Sequence, residues 1–270
     1  LEAACTAAEV GCNTFLLEKG NELGGLASLI SKIPAKNRLA DFPHYLMHRA
    51  EQLDNLYIFK NTEGTPENIR KFHPNIIVSS TGSAPLLPPI AGLKDRIDNE
   101  DYNIYSILGM INHINDFPKD LEGKKVVVVG GGAVGLDVVE FFADRNADIS
   151  IVEMMDQIGR DLDPVSKNDT KTMMKKHNVH QLTKTALLEV KDSSFLVKGD
   201  GEPYEIPFEY GFVCLGMRAQ GQLYQSLAEE FSSEDVEIMN IGDSQRARRI
   251  IDGTQEGRNI LTILEQRGYL

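Results

Sequence analysis

The sequence has no run of about 20 apolar residues, so no membrane-spanning helix is expected. Cysteine is scarce: Cys5, Cys12 and Cys214 are scattered and odd in number. They supply neither a CxxC redox pair nor the four thiolates of a cluster, and a reducing, cytoplasmic compartment is the plain expectation. Basic charge is also short, with 28 Lys and Arg against 40 Asp and Glu, a net charge of −12 at pH 7. Such a surface argues against nucleic acid or an anionic membrane as the main partner. No basic segment precedes an apolar core at the start, so no signal peptide is read there. A first residue of Leu, not Met, reads as a cut or processed chain.

What is present looks globular. The 270 residues suffice for two domains, and 41% hydrophobic with 25% charged residues excludes a disordered chain. The most informative stretch is Val126 to Glu153. Four valines in a row suit a parallel strand buried on both faces, and Gly130, Gly132 and Gly135 follow in GxGxxG spacing with Ala133 and Val134 between them. Glycines there let the backbone turn tightly and approach a pyrophosphate, and Gly135 lets a helix pack close to its strand. Glu153 ends a second apolar strand, 23 positions after Gly130, where a carboxylate can accept hydrogen bonds from an adenosine ribose. A bare glycine turn in an ordinary βαβ unit is the bland alternative, but strand, glycines, helix, strand and acid in this order favour a dinucleotide. The acid repels a 2′-phosphate and so favours NADH over NADPH; Arg160, nearby in sequence, weakens that preference.

Laid at an offset of 135 positions, the first residues repeat this unit: Leu1 falls on Leu136, Ala8 on Ala143, Leu17 on Val152, Glu18 on Glu153 and Gly24 on Gly159. The repeat predicts a helix over 1–10, a strand over 14–17, and a first strand and glycine loop that belong immediately before Leu1. A plain amphipathic helix followed by a strand is the alternative.

Further on, the pattern predicts a helical stretch to about Ser31, a break at Pro34 and an amphipathic helix over 38–54. Strands are expected at 57–59 and 75–80, the second closed by Thr81-Gly82-Ser83, then a proline-rich linker over 85–92. Beyond Glu153 a polar helix over 164–176, a short strand around Val179, an antiparallel meander over 186–207 and a buried strand ending at Gly216 are expected. A last strand over 236–241 closes on Gly242-Asp243, and residues 253–266 look helical. Asp243, at a strand end beside a helix start, can accept from a polyol hydroxyl, or the segment is merely a capped turn. His44 and His48 are four apart on one helix but have no third ligand, and His177 and His180 read as turn residues; no metal site is expected.

Glu18 with Gly24-Gly25, Thr81-Gly82, the Gly130 to Glu153 unit, Gly216 and Gly242-Asp243 together resemble flavoproteins with two dinucleotide-binding domains. Within that family Leu23-Gly24-Gly25, Ile33-Pro34-Ala35-Lys36, Asn61-Thr62-Glu63 and Thr81-Gly82-Ser83-Ala84-Pro85 look most like the C-terminal part of NADH:flavin oxidoreductases of the enoate reductase and 2,4-dienoyl-CoA reductase type. The resemblance implies an α/β fold of two Rossmann-like domains, the NAD domain inserted into an FAD domain that lacks its first strand and glycine loop. The implied parts are 1–95 and 219–270 for FAD, and 96–218 for NADH. It also implies roles: Glu18 on the FAD adenosine ribose, Gly24 and Gly25 in the loop beyond it, Thr81 and Gly82 near the flavin nucleotide, Gly242 and Asp243 at the ribityl chain. Gly130, Gly132, Gly135 and Glu153 fall to NADH, and Ala133, Val134 and Gly216 are further cofactor-binding positions. Ser80 and the residue after Gly25 depart from the family pattern.

The resemblance implies hydride transfer from NADH to FAD, with electrons passing to an N-terminal FMN barrel carrying an iron–sulfur cluster. A barrel alone needs about 250 residues, so both would lie outside these 270. The cofactors carry such chemistry, and no catalytic proton donor is nominated. Two rival readings remain: a nucleotide-binding module without turnover, and an NADPH-dependent reductase like the small subunit of glutamate synthase.

Overall fold

The computed structural model describes residues 1–270. The chain forms two compact units: the first comprises Leu1–Ser31, Lys36–Ala84 and Arg218–Leu270, the second Lys32–Ala35 and Pro85–Met217. In chain order the elements are α1 (Glu2–Glu9), β1 (Thr14–Leu17), α2 (Gly25–Ile30), α3 (Asp41–Glu51), β2 (Leu56–Phe59), α4 (Pro66–Arg70), β3 (Ile76–Ser79) and β4 (Ser83–Pro85). Then come α5 (Leu93–Arg96), β5 (Ile104–Tyr105), α6 (Ile107–Asn112), β6 (Lys125–Val129), α7 (Ala133–Ala143), β7 (Asp148–Val152), α8 (Pro164–Lys176), β8 (His180–Leu182), β9 (Ala186–Val190), β10 (Ser194–Lys198), β11 (Tyr204–Pro207) and β12 (Tyr210–Val213). The chain closes with β13 (Met217–Ala219), α9 (Gln222–Glu230), β14 (Glu237–Asn240), α10 (Ile250–Arg258) and α11 (Ile260–Gln266).

In the second unit a five-stranded sheet has the order β5-β12-β6-β7-β8, every pairing parallel. Its centre is β6, whose four valines are buried, as a strand covered on both faces requires. One face carries the antiparallel β11-β10-β9 meander, whose Val190, Phe195 and Val197 pack with Val127, Val129, Val152 and Val213. The other face takes α7, where the Phe142 ring lies 4.8 Å from that of Phe212. Each such side chain contributes about 1.5–3 kcal/mol on burial. This core therefore fixes the end of β6, where the glycines begin.

The first unit repeats this arrangement in two pieces. Parallel β1 and β2 form one two-stranded sheet, and parallel β3 and β14 another. Ala4, Cys5 and Ala8 of α1 pack against Leu16, Leu56 and Ile58, while Ala7 packs with α11 and with Ile76, Val78 and Met239. One short helix thus covers both pieces. Small residues allow the close approach: a Cβ on Gly257 of α10 would come within 3.1 Å of the Ala3 nitrogen.

Several elements differ from expectation for local reasons. Pro34 opens a 3₁₀ helix over Pro34–Ala40 that runs into α3, so the helix expected over 38–54 is divided. The final helix starts at Ile250 rather than 253, because the Asp252 carboxylate accepts the Arg249 N–H and caps it, and the helix is interrupted at Asn259. The short strand expected around Val179 lies at His180–Leu182. Residues 222–230, for which the pattern gave no element, form α9, whose Leu227 is buried against Ile77 and Phe231. No helix is long and apolar enough to cross a membrane.

Candidate cofactor-binding sites

In the second unit the site starts where β6 stops. Gly130 has φ of 107°, and a Cβ there would meet the Cys214 carbonyl oxygen at 2.1 Å, so only glycine lets the turn pass the end of β12. Its N–H donates to the Val152 carbonyl at 2.8 Å, which continues the parallel ladder one residue beyond β6. A Cβ on Gly135 would meet the Gly130 carbonyl at 1.9 Å, so the first turn of α7 sits directly on the glycine loop. Gly132 differs: nothing lies within 4 Å of its would-be Cβ, and as the N-cap of α7 it makes no side-chain cap bond. The Ala133, Val134 and Gly135 nitrogens thus head an eleven-residue helix beside open space, an arrangement suited to an anion.

Glu153 stands at the lip of this turn. Its Oε2 accepts the Gly131 N–H at 2.6 Å and its Oε1 the Met155 N–H at 2.7 Å. A carboxylate offers about four acceptor positions, so two remain for hydroxyl donors. The Gly159 N–H donates to the Gly131 carbonyl at 2.7 Å and closes the loop from the other side. Gly216 follows β12 with φ of 102° and nothing within 4 Å of its would-be Cβ. Arg160 is exposed. Cys214 is buried behind Gly130, and burial pushes its thiol up to about 12, so it stays protonated.

The first unit reproduces the acid. Glu18 Oε1 accepts the N–H two residues on, that of Gly20, at 2.7 Å, as Glu153 does from Met155. The Glu18 N–H donates to the Phe59 carbonyl and its own carbonyl accepts from Thr62, both at 2.8 Å, matching the bonds of Glu153 to Leu182 and Thr185. Gly24 has φ of 98°, and a Cβ there would meet Ser28 Oγ at 2.0 Å; Gly25 has φ of 54°. The two acids matched by the sequence repeat are therefore held by the same three hydrogen bonds.

At the other end of this unit Thr81 Oγ1 donates to the Gln220 carbonyl, and Gly82, with φ of 75°, accepts the Gln220 N–H at 2.9 Å. Ser83 Oγ donates to Asp243 Oδ2 at 3.1 Å, and the Arg248 N–H donates to Asp243 Oδ1 at 3.0 Å. The N–H of Gly242 donates to Glu256 Oε2 at 2.6 Å, and Glu256 is ion-paired with Arg248. Thr81, Gly82, Gly242 and Asp243 are thus drawn together, whereas Glu18 makes its contacts with Gly20, Phe59 and Thr62. Sequence reasoning gave no role to Ser83, although it lies in the Thr81–Pro85 motif, nor to Arg248 and Glu256, which lack a motif; Ser83 meets Asp243 across 160 positions.

Both halves offer acceptors for hydroxyls, and the second also offers a helix start bordered by open space at Gly132, so the residues fit a dinucleotide there. For FAD the fit covers the two ends, at Glu18 and Asp243; within residues 1–270 no glycine turn leads into α1. His44 and His48 are both exposed on α3, and His48 pairs with Glu51.

The sequence profile described as pyridine nucleotide-disulphide oxidoreductase matches residues 46–239. An NADH oxidase of Thermoanaerobacter brockii is 26% identical over 258 residues, 95% of this chain and 38% of that protein. A metal reductase of Desulforamulus reducens is 26% identical, over 96% of this chain and 41% of its own length. Among solved structures, a 2-naphthoyl-CoA reductase complex superposes with TM-score 0.81 at 23% identity, covering 96% of this chain and 37% of that one. Histamine dehydrogenase from Rhizobium sp. 4-9 does so with TM-score 0.80 at 16% identity, covering 96% and 39%. The chain spans about two-fifths of the length of these proteins. The two copies of one nucleotide-binding pattern and the match over most of the chain agree: it belongs to the pyridine nucleotide-disulphide oxidoreductase family, flavoproteins that bind FAD and NAD(P)H.

Proposed function

We propose that the chain is the NADH- and FAD-binding module of a larger reductase of the enoate reductase type, with residues 96–218 holding NADH and residues 1–95 and 219–270 holding FAD. The observation that carries this is the Gly130–Gly135 turn, latched to Glu153 and open at Gly132. When bound, FAD supplies hydride acceptance from NADH and passage of electrons onward, here to a separate FMN barrel with an iron–sulfur cluster. The chain's own residues bind and orient. The amides of Ala133 to Gly135 face the pyrophosphate of NADH, Glu153 accepts from its adenosine ribose, and Gly216 leaves room beside the strand end. In the other half Glu18 takes the FAD adenosine ribose, with Gly24 and Gly25 shaping the loop beyond it. Thr81 and Gly82 pass close to the flavin nucleotide, and Ser83 and Arg248 hold Asp243 with an oxygen lone pair free for the ribityl hydroxyls. A reducing cytoplasm suits the three free thiols.

One observation favours a second reading, a nucleotide-binding module without turnover: the sheet of the first unit is split into two pairs of strands. Titration with FAD followed by reduction with NADH decides. A flavin spectrum that bleaches on adding NADH, and an Asp243→Ala variant that takes up less FAD, are expected. A colourless protein that ignores FAD while still binding NADH would overturn the redox reading. Tighter binding of NADPH than NADH would move it toward a glutamate synthase-like reductase.

A further inference from the structure

We propose that the free edge of β2 is a contact between two molecules of this chain, which join antiparallel about a two-fold axis at Ile58 and run their aromatic faces together. One side of β1 and β2 builds the surface. Leu16, Leu56 and Ile58 pack with Ala4, Cys5 and Ala8 of α1, and the alternation of a strand sends Phe15, Tyr57 and Phe59 the other way. Phe15 stacks on Tyr57 at 5.2 Å between ring centroids, and Phe72 lies 4.8 Å from Phe15 and 5.4 Å from Phe59. Phe72 covers them only in part: Phe15, Tyr57 and Phe59 stay 41%, 46% and 38% exposed. The second unit treats the same positions differently. The offset of 135 sets the pairs Phe15–Tyr57 and Leu17–Phe59 on Ser150–His180 and Val152–Leu182. There the face is roofed, since Val152 and Leu182 pack with Val190 and Phe195 of the meander, and His180 is ion-paired with Asp148. Between β2 and β3 the chain forms only the short α4, so the aromatic cluster has no such roof. An open cluster of this kind marks an interaction surface.

The backbone of β2 specifies the occupant. The N–H groups of Thr14 and Glu18 donate to the carbonyls of Asn55 and Phe59, so Asn55, Tyr57 and Phe59 turn their backbone groups to β1. Leu56, Ile58 and Lys60 therefore turn theirs outward, and β2 has no second neighbour in its sheet. The Leu56 N–H is spent on the Leu53 carbonyl and the Lys60 carbonyl on the Thr62 hydroxyl, both at 3.1 Å. What remains free is the Leu56 carbonyl, the N–H and carbonyl of Ile58, and the Lys60 N–H. An antiparallel register centred on Ile58 pairs all of these in both molecules. Each Ile58 N–H meets the other Ile58 carbonyl, and each Lys60 N–H the other Leu56 carbonyl. Centred on Tyr57 instead, the Ile58 carbonyl would meet a Leu56 N–H that is already taken. The Ile58 register also sets Tyr57 of each molecule opposite Phe59 of the other, a favourable cross-strand aromatic pair. It brings Lys60 of one molecule diagonally toward Asp54 of the other, and both are exposed. An unrelated extended peptide would satisfy the backbone but not these side-chain pairings, so a second molecule of this chain is the partner that fits.

The contact is small and each molecule carries a net charge of −12, so the dimer is a weak one, with a Kd on the order of 100 µM. Sedimentation velocity of the protein between about 10 µM and 1 mM reads the association, and amide hydrogen exchange at the two extremes reads its place. At the upper concentration about one molecule in five stays free, so exchange at Ile58 and Lys60 is expected to slow about fivefold. Tyr57 and Phe59, already bonded to β1, should not change. Asp54→Lys or Lys60→Glu alone should weaken the dimer about tenfold, because the two-fold axis applies each change twice. The two together should return it to within about twofold of the parent, a recovery that a misfolded variant could not give. A protein that stays monomeric throughout overturns the proposal. So does a dimer in which Ile58 and Lys60 exchange as they do in the monomer, or one that the single charge changes leave intact. Protection of these amides already at the lowest concentration overturns it as well, since something other than a second molecule then covers the edge. None of these outcomes depends on nucleotide binding, so the function proposed above stands or falls separately.

Discussion

Replacing Glu153 with Ala tests the nucleotide site at its most exposed joint. The carboxylate spends one oxygen position on the Gly131 N–H and one on the Met155 N–H, leaving acceptors for two ribose hydroxyls. A hydrogen bond to a charged group is worth about 1.5–3 kcal/mol, and because this side chain is half-exposed the lower end applies, about 3 kcal/mol for the pair. That corresponds to roughly 100-fold weaker NADH binding. The loss of the latch itself costs little stability, about 1 kcal/mol, since water reaches the freed amides. NADPH responds in the opposite sense. A unit charge about 4 Å from the carboxylate is repelled by about 4 kcal/mol at an effective dielectric of 20, and solvent screening leaves on the order of 1–2 kcal/mol. Removing the charge in Glu153→Gln should therefore narrow the preference for NADH by about 5- to 30-fold. Calorimetric titration of the parent and both variants with NADH and NADPH reads this directly. An alanine variant that binds NADH within about twofold of the parent, with an unchanged circular dichroism spectrum, refutes the assigned role.

Four further outcomes follow from the packing. Gly135→Ala drives a Cβ to 1.9 Å from the Gly130 carbonyl, and the forced separation of α7 from β6 should cost about 2–3 kcal/mol in urea unfolding and abolish nucleotide binding. Burial alone would raise the Glu2 carboxyl, but its hydrogen bonds to Arg49 at 2.9 Å and Arg258 at 3.0 Å prevail and hold it below the ordinary glutamate range. A depressed carboxyl stabilises fully above its unfolded value and loses that contribution as pH falls through the folded one, so denaturation midpoints should drop below about pH 4.5. In Arg49→Ala the nearly enclosed Glu2 loses one of its two arginine partners, and about 3 kcal/mol of stability is expected to disappear in urea titrations. At pH 8 an aromatic disulfide reagent should leave Cys214 untouched in the folded protein and modify it only after denaturation, because burial keeps the thiol protonated and out of reach.

The legible parts of the fold were those set by local chemistry. Val126 to Gly135 announces a buried strand and a close turn because four β-branched residues and three spaced glycines have few other uses. The match of Leu1–Gly24 to Leu136–Gly159 gave the second acid, and the structure repeats its hydrogen bonds. The helix over 222–230 was not read although Leu223, Leu227 and Phe231 recur every four residues and pack together, because no side-chain cap marks its start. The start at Ile250 was missed because Asp252, one residue before the expected start at 253, is the third residue of the helix and bonds back to the Arg249 N–H. The resemblance already sent the Thr81-Gly82-Ser83 and Gly242-Asp243 segments to one flavin, but the bond from Ser83 to Asp243 across 160 positions is set by tertiary packing and has no local signal.

The central claim is that two copies of one dinucleotide-binding pattern share this chain and that the second copy takes NADH. Calorimetric titration of the parent protein without added flavin tests it most directly. The account predicts one NADH per chain, bound at least about tenfold more tightly than NADPH. No heat of binding with either nucleotide, or tighter binding of NADPH, would contradict it.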